Sequence, residues 1–338
     1  MTAPSGLKVH PELVPYLGSL GPFSDPYEDI AATRARFDAL LAAYPADRSG
    51  VRSERYDVPR PDGSALTVEV YHPEPGEAPV STGPLPAVLH LHGGGFAIGR
   101  SLPGQDRTAI GLCRQLPAVV VAVEYRLAPE HRWPSGVEDC YRALEWTAAH
   151  AAELGIDPHR IAVHGKSAGG GLTAAVALMA RDRGGPAIAY QSMCIPDVDD
   201  RIADEPVPAD ADGDAGDVPP DPRVDTLRLV RLAWRHYLPE GSFAQERRPA
   251  PDAYASPARA ADLSSLAPAY LLVCDLDALR DRGLAYARRL MDAGVPVTVH
   301  NVPGAWHGFE LSAPGTRLAR EMTAHWTGHL RAALHGRF

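Results

Sequence analysis

Residues 161–180 read IAVHGKSAGGGLTAAVALMA, and few backbone arrangements accommodate that run. Its opening residues are apolar enough for a strand covered on both faces. Its last ten repeat apolar residues at helical spacing. Ser167 falls at the junction, between Gly165 and Gly169. A serine on so sharp a strand-to-helix turn needs a strained backbone with positive φ, and flanking glycines remove the Cβ atoms that would collide there. The turn lifts the hydroxyl above the sheet, while the new helix aims its N–H groups at the same place. G-x-S-x-G alone is a common accident; between a strand and a helix it is a strong signal for a nucleophile.

The rest of the chain repeats the same alternation. Strand-like runs occur at Ala87–His92, Val119–Tyr125, Ala269–Cys274 and Val295–Val302. Helical stripes lie between them: Cys140, Tyr141, Leu144, Ala148 and Ala151, with Ser135 and Glu138 as a capping box; Leu172, Val176 and Met179, stopped by Gly184; Leu284 to Met291, ending at Gly294; and Leu318 to Leu334. The pattern predicts an α/β fold, a mainly parallel sheet flanked by helices on both sides. Two segments break the rhythm. Residues 1–50 carry Ile30, Phe37, Leu40, Leu41 and Tyr44 at helical spacing, and 197–225 are rich in Asp, Ala and Pro, as a mobile loop would be. A helix is expected from Thr226 to Tyr237. The expected organisation is N-terminal cap helices over 1–50 and a catalytic domain over 51–338, with a cap insertion at about 197–245.

Bulk composition removes several function classes. A net charge of −9 argues against nucleic acid or an anionic membrane as partner. Cys113, Cys140, Cys194 and Cys274 are too scattered for a disulfide framework or a zinc site, so reduced thiols and a cytoplasmic location are expected. No signal peptide and no membrane span are read.

A second motif, His92-Gly93-Gly94-Gly95-Phe96, follows a strand. Its bare backbone lets N–H groups approach a ligand, and two of them with the N–H of Ala168 would make an oxyanion hole. A dinucleotide loop fails, because Ile98 stands where the third glycine belongs. A serine needs a base, and the base needs an acid to hold its tautomer. Downstream of Ser167, in the order Ser, acid, His, come Asp275, Asp277 and Asp281 after one strand and His307 after the next. His90 and His164 read as core groups. His300, His325, His329 and His335 read as surface or helix positions, with no metal implied. Trp234 and Tyr237 read as lid packing before substrate contact.

These stretches resemble the hormone-sensitive-lipase family of esterases, of the α/β-hydrolase fold: HGGGF at 92–96, EYRLAPEHRWP at 124–134, GKSAGGG at 165–171, DALRD at 277–281 and GAWHGF at 304–309. The resemblance implies Ser167 as nucleophile, His307 as base and Asp277 as its orienting acid. It also implies Gly94, Gly95 and Ala168 as oxyanion donors, the YRLAPEH stretch as a brace for the glycine loop, and no cofactor. A small, short-acyl ester is the implied partner, for a chain acting alone or as a homodimer. Lys166 and Arg282 depart from it, since relatives usually carry acids there. Two such cations would lower the base's pKa, unless they point into solvent. Elimination or acyl transfer at the same site is the alternative chemistry, and a non-catalytic receptor, which would lack the histidine, the weakest.

Overall fold

The computed structural model describes residues 8–20, 24–43, 46–74, 83–100, 106–208, 221–243 and 251–336. Eight strands form one sheet: β1 (Val51–Pro59), β2 (Ala65–Pro73), β3 (Leu85–Leu91), β4 (Val119–Val123), β5 (Ile156–Lys166), β6 (Tyr190–Cys194), β7 (Ala269–Leu276) and β8 (Val297–Trp306). Their order is β1-β2-β4-β3-β5-β6-β7-β8. The pairs β1–β2 and β2–β4 are antiparallel, and every later pair is parallel. The described helices are α1 (Ile30–Ala43), α2 (Arg107–Gln115), α3 (Ser135–Ala149), α4 (Ala151–Leu154), α5 (Ala168–Asp182), α6 (Pro222–Tyr237), α7 (Arg280–Asp292), α8 (Phe309–Ser312) and α9 (Arg317–Leu334).

The central strands bury both faces, so their side chains divide by the two-residue period. Leu89, Val121 and Val163 pack against Val137, Cys140, Leu172 and Val176 of α3 and α5. The alternate set Val88, Val120 and Ala162 faces Leu112 of α2 and Trp326 and Leu330 of α9. The α/β sandwich expected from the alternation is what forms.

Sequence reading missed β6, whose residues YQSMC are half polar. Both polar side chains are buried and find partners away from their own strand: Gln191 Nε2 donates to the Ala267 carbonyl at 2.7 Å, and Ser192 Oγ meets His164 Nδ1 at 3.0 Å. Three further expectations need correction. Helix α3 has no capping box; Pro134 is its N-cap, Ser135 is its first helical residue, and Glu138 pairs with Arg183 instead. Helix α6 begins at Pro222, before Thr226, with the Asp221 carboxylate accepting from Arg223 N–H. The acidic stretch does not begin as a loose loop. Asp197, Asp199 and Asp200 are buried, and Asp200–Asp204 form a 3-10 turn. Local Arg201 and two arginines distant in sequence balance these charges, Arg259 on Asp200 and Arg282 beside Arg201 on Asp199. Residues 209–220, and Tyr44 from the N-terminal pattern, lie outside the described residues.

Candidate active site

Strand β5 delivers Ser167 at its carboxyl end, in the strained conformation φ 56°, ψ −122°, which costs about 1–3 kcal/mol for a residue with a Cβ. The close packing that imposes the turn is visible in its glycines. A Cβ on Gly165 would stand 2.1 Å from the Gly169 carbonyl oxygen, and one on Gly169 would stand 2.1 Å from that of Leu91. Only hydrogen fits at either place.

His307 follows β8 and closes on the serine. Its Nε2 lies 2.9 Å from Ser167 Oγ, and its Nδ1 lies 2.7 Å from Asp277 Oδ2. Asp277 is almost sealed from solvent, and its other oxygen accepts the Leu279 N–H at 2.9 Å. The other two candidate aspartates are engaged elsewhere. Asp275 accepts from Asn301 and from the Gly304 N–H, and exposed Asp281 pairs with Arg280. Burial alone would lower the His307 pKa, but the Asp277 carboxylate, joined by Glu310 and Asp197, outweighs it and holds the imidazole above its ordinary value.

The glycine loop leaves β3 opposite the serine. Gly94 has φ +122°, and a Cβ there would sit 2.0 Å from the Ile98 carbonyl oxygen, so the loop closes only with glycine. Gly93 lies against the Lys166 carbonyl. Among the described residues no backbone acceptor takes up the N–H of Gly94, Gly95 or Ala168. Donors left free of the backbone are what an oxyanion hole requires, where each can stabilise the anion by about 3 kcal/mol. The loop is braced from the YRLAPEH stretch: Tyr125 stacks on His92 and donates its O–H to the His92 carbonyl at 2.8 Å, and Ala128 N–H donates to Phe96 at 2.9 Å.

Neither unusual cation points into solvent. Lys166 pairs with Glu310 at 2.8 Å, and Arg282 pairs with Asp199 and Glu205. Trp234 is fully buried, and its Nε1–H donates to Asp197 Oδ1 at 2.9 Å. Asp197 itself donates its backbone N–H to the Ser167 carbonyl at 3.1 Å, and burial pushes its carboxyl up to about 8. Sequence reading passed over Asp197 and Glu310. Asp197 was absorbed into an acidic run. The signal for Glu310 was present, since it stands three residues after His307 with the sign opposite to Lys166. Of the peripheral histidines, His300, His325 and His329 cluster ring to ring. Among the described residues no three His, Cys, Asp or Glu side chains form a metal-binding group, and no helix is long and apolar enough to cross a membrane.

Residues 88–311 match the profile of a family described as having the alpha/beta hydrolase fold. The chain belongs to this family, in its hormone-sensitive-lipase-like branch. The hydrolase is 40% identical over 268 residues to Esterase LipI of Mycobacterium tuberculosis, spanning 78% of this chain and 76% of that one. Carboxylesterase NlhH of the same species is 38% identical, over 80% and 79% of the two chains. Among solved structures, a bacterial heroin esterase superposes with a TM-score of 0.83 at 39% identity, covering 97% of this hydrolase and 98% of its own chain.

Proposed function

We propose that this carboxylic-ester hydrolase acts through an acyl-enzyme on Ser167, with His307 as general base, Asp277 as its orienting acid, and the N–H groups of Gly94, Gly95 and Ala168 as the oxyanion hole. The observation that carries this reading is the unbroken hydrogen-bonded line from Ser167 through His307 to Asp277. His307 takes the hydroxyl proton as Oγ attacks the ester carbonyl, and the oxygen, now negative, settles among the three donors. Collapse of the tetrahedral intermediate expels the alcohol, which leaves with the proton held on His307. Water, deprotonated by the same imidazole, attacks the acyl-enzyme and releases the carboxylic acid. His92, Gly93, Gly165 and Gly169 shape the two loops and take no proton.

The N-terminal segment to about residue 50 and the insertion at about 197–245 act as the cap over a catalytic domain of 51–338. Supporting this, Tyr27 O–H donates to the Gly95 carbonyl at 3.1 Å, and Tyr237 of α6 stacks on Phe96 at 4.0 Å. That crowding beside the glycine loop favours a short acyl group. Four free, buried thiols support a cytoplasmic location. A homodimer is compatible with the site, since every group named comes from one chain.

The test is direct. An organophosphate is expected to label Ser167 in a peptide mass map, and Ser167→Ala to lose at least about 10³-fold in p-nitrophenyl acetate turnover. Labelling at another serine overturns the assignment.

A further inference from the structure

Lys166 is the last residue of β5, one position before the nucleophile, and Glu310 lies on α8, three positions after the base. Their side chains meet at 2.8 Å and are only 24% and 21% exposed. The ammonium also stands over the Trp326 ring, 5.2 Å from its centre. Beside the pair is a cavity of about 10 Å³ walled by Cys194, Leu272, Phe309 and Trp326. That side holds roughly one water molecule's space, while Glu310 also borders an open depression of about 350 Å³. The closed pair joins the two chain segments whose alignment the reaction needs.

We propose that Lys166 and Glu310 are positioning residues, whose ion pair ties the nucleophile turn to the base loop and cancels its own two charges near His307, so helping to fix the pH at which the imidazole releases its proton. This rests on the reading of Ser167 and His307 as nucleophile and base.

Ser167 and His307 are 140 residues apart in the chain, and β6 and β7 separate their strands in the sheet. Packing alone would have to hold Oγ and Nε2 in register across that span. A charge-assisted bond between the flanking residues supplies the cross-tie directly. The electrostatic part follows from what surrounds each group. Facing His307 are Asp277 from the β7–α7 connection, Asp197 from the segment after β6, and Glu310 from α8. Facing Lys166 are Glu310 and the thiols Cys194 and Cys274, with His164 on the same strand. Lys166 is thus the cation that offsets Glu310. Either member without the other leaves an uncompensated charge close to the imidazole, and the two charges act on it in opposite senses.

That opposition makes the test decisive. The pH dependence of kcat/KM for p-nitrophenyl acetate is measured for the full chain and three variants. Glu310→Gln, nearly the same shape, exposes the lysine's positive charge and is expected to move the acid limb down by about half to one pH unit. Lys166→Met exposes the glutamate and is expected to move it up by about as much. Lys166→Arg keeps the charge and leaves the limb in place. Turnover falls in both charge-removing variants, as the tie is lost. The position of a limb does not depend on the fraction of protein that folds, so a poor yield cannot imitate these shifts. Limbs that move in the same direction, or that do not move, overturn the proposal while leaving the triad assignment standing. A wild-type enzyme with no acid limb, or with Ser167 unlabelled by an organophosphate, fails the triad reading first and takes this inference with it.

Discussion

At the scale of single residues, the site depends on what holds each of its buried carboxyls. Asp277 accepts the Leu279 N–H through one oxygen and meets Nδ1 of the imidazole through the other. Asn at that position keeps the shape but not the charge, and its amide presents Nδ1 of His307 with a donor. Asp277→Asn is expected to lower kcat/KM by about 10³–10⁴-fold with little change in melting temperature, and to move the acid limb to lower pH. A loss of only a few-fold would remove Asp277 from the mechanism. Asp197 carries a titration of its own. Burial raises its folded pKa to about 8, against roughly 4 in an unfolded chain. Between those values the folded state holds the extra proton, so stability falls as pH rises through the window and is fully restored only below it. Asp197→Asn retains an acceptor for Trp234 and cannot ionise. Its melting temperature relative to wild type is therefore expected to climb from about pH 4 to about pH 8. Parallel melting curves across that range would show that the carboxyl titrates normally.

Elements differ in how plainly their sequence announces them. Strands β3, β4, β5 and β7, and the turn at Ser167, were legible because burial on both faces demands continuous apolar runs and a sharp turn demands glycine. Strand β6 was hidden by Gln191 and Ser192, whose partners are non-local. The acidic segment after it was misread for the same reason. A run of aspartates looks solvated until arginines from elsewhere reach it, and nothing local to residues 197–204 announces Arg259 or Arg282. The candidate triad was readable by order and by position at strand ends, but the choice among three aspartates needed either a resemblance or coordinates. The Asp200 pairing gives this misreading a measurable consequence. Its side chain is wholly buried, and both carboxylate oxygens accept from Arg259. Arg259→Met removes this two-bonded partner from a buried carboxylate, and is expected to cost about 3–5 kcal/mol in urea unfolding. A cost under about 1 kcal/mol would place the pair in effectively solvated surroundings.

For the molecule as a whole, the question is how helix α1, from a distant part of the chain, holds its place beside the glycine loop. Arg34 of α1 spans the junction. Its Nε donates to the Ala97 carbonyl at 2.8 Å and one terminal nitrogen to the Ala128 carbonyl at 2.7 Å, while both terminal nitrogens grip Glu130 at 2.8 Å. Ala97 N–H in turn donates to Gly94, and Ala128 N–H to Phe96. One guanidinium thus fixes the N-terminal helix, the glycine loop and its brace in a single frame. Because the planar fork makes four bonds at set angles, a flexible ammonium cannot replace it. Arg34→Ala is expected to lower kcat/KM about tenfold, since small misplacements of positioning groups already cost that much. Arg34→Lys should recover less than half of the loss on a logarithmic scale, and the rate of Ser167 labelling should fall in step. Full recovery by lysine would mean that charge alone holds helix α1, and the shared frame would have to be abandoned.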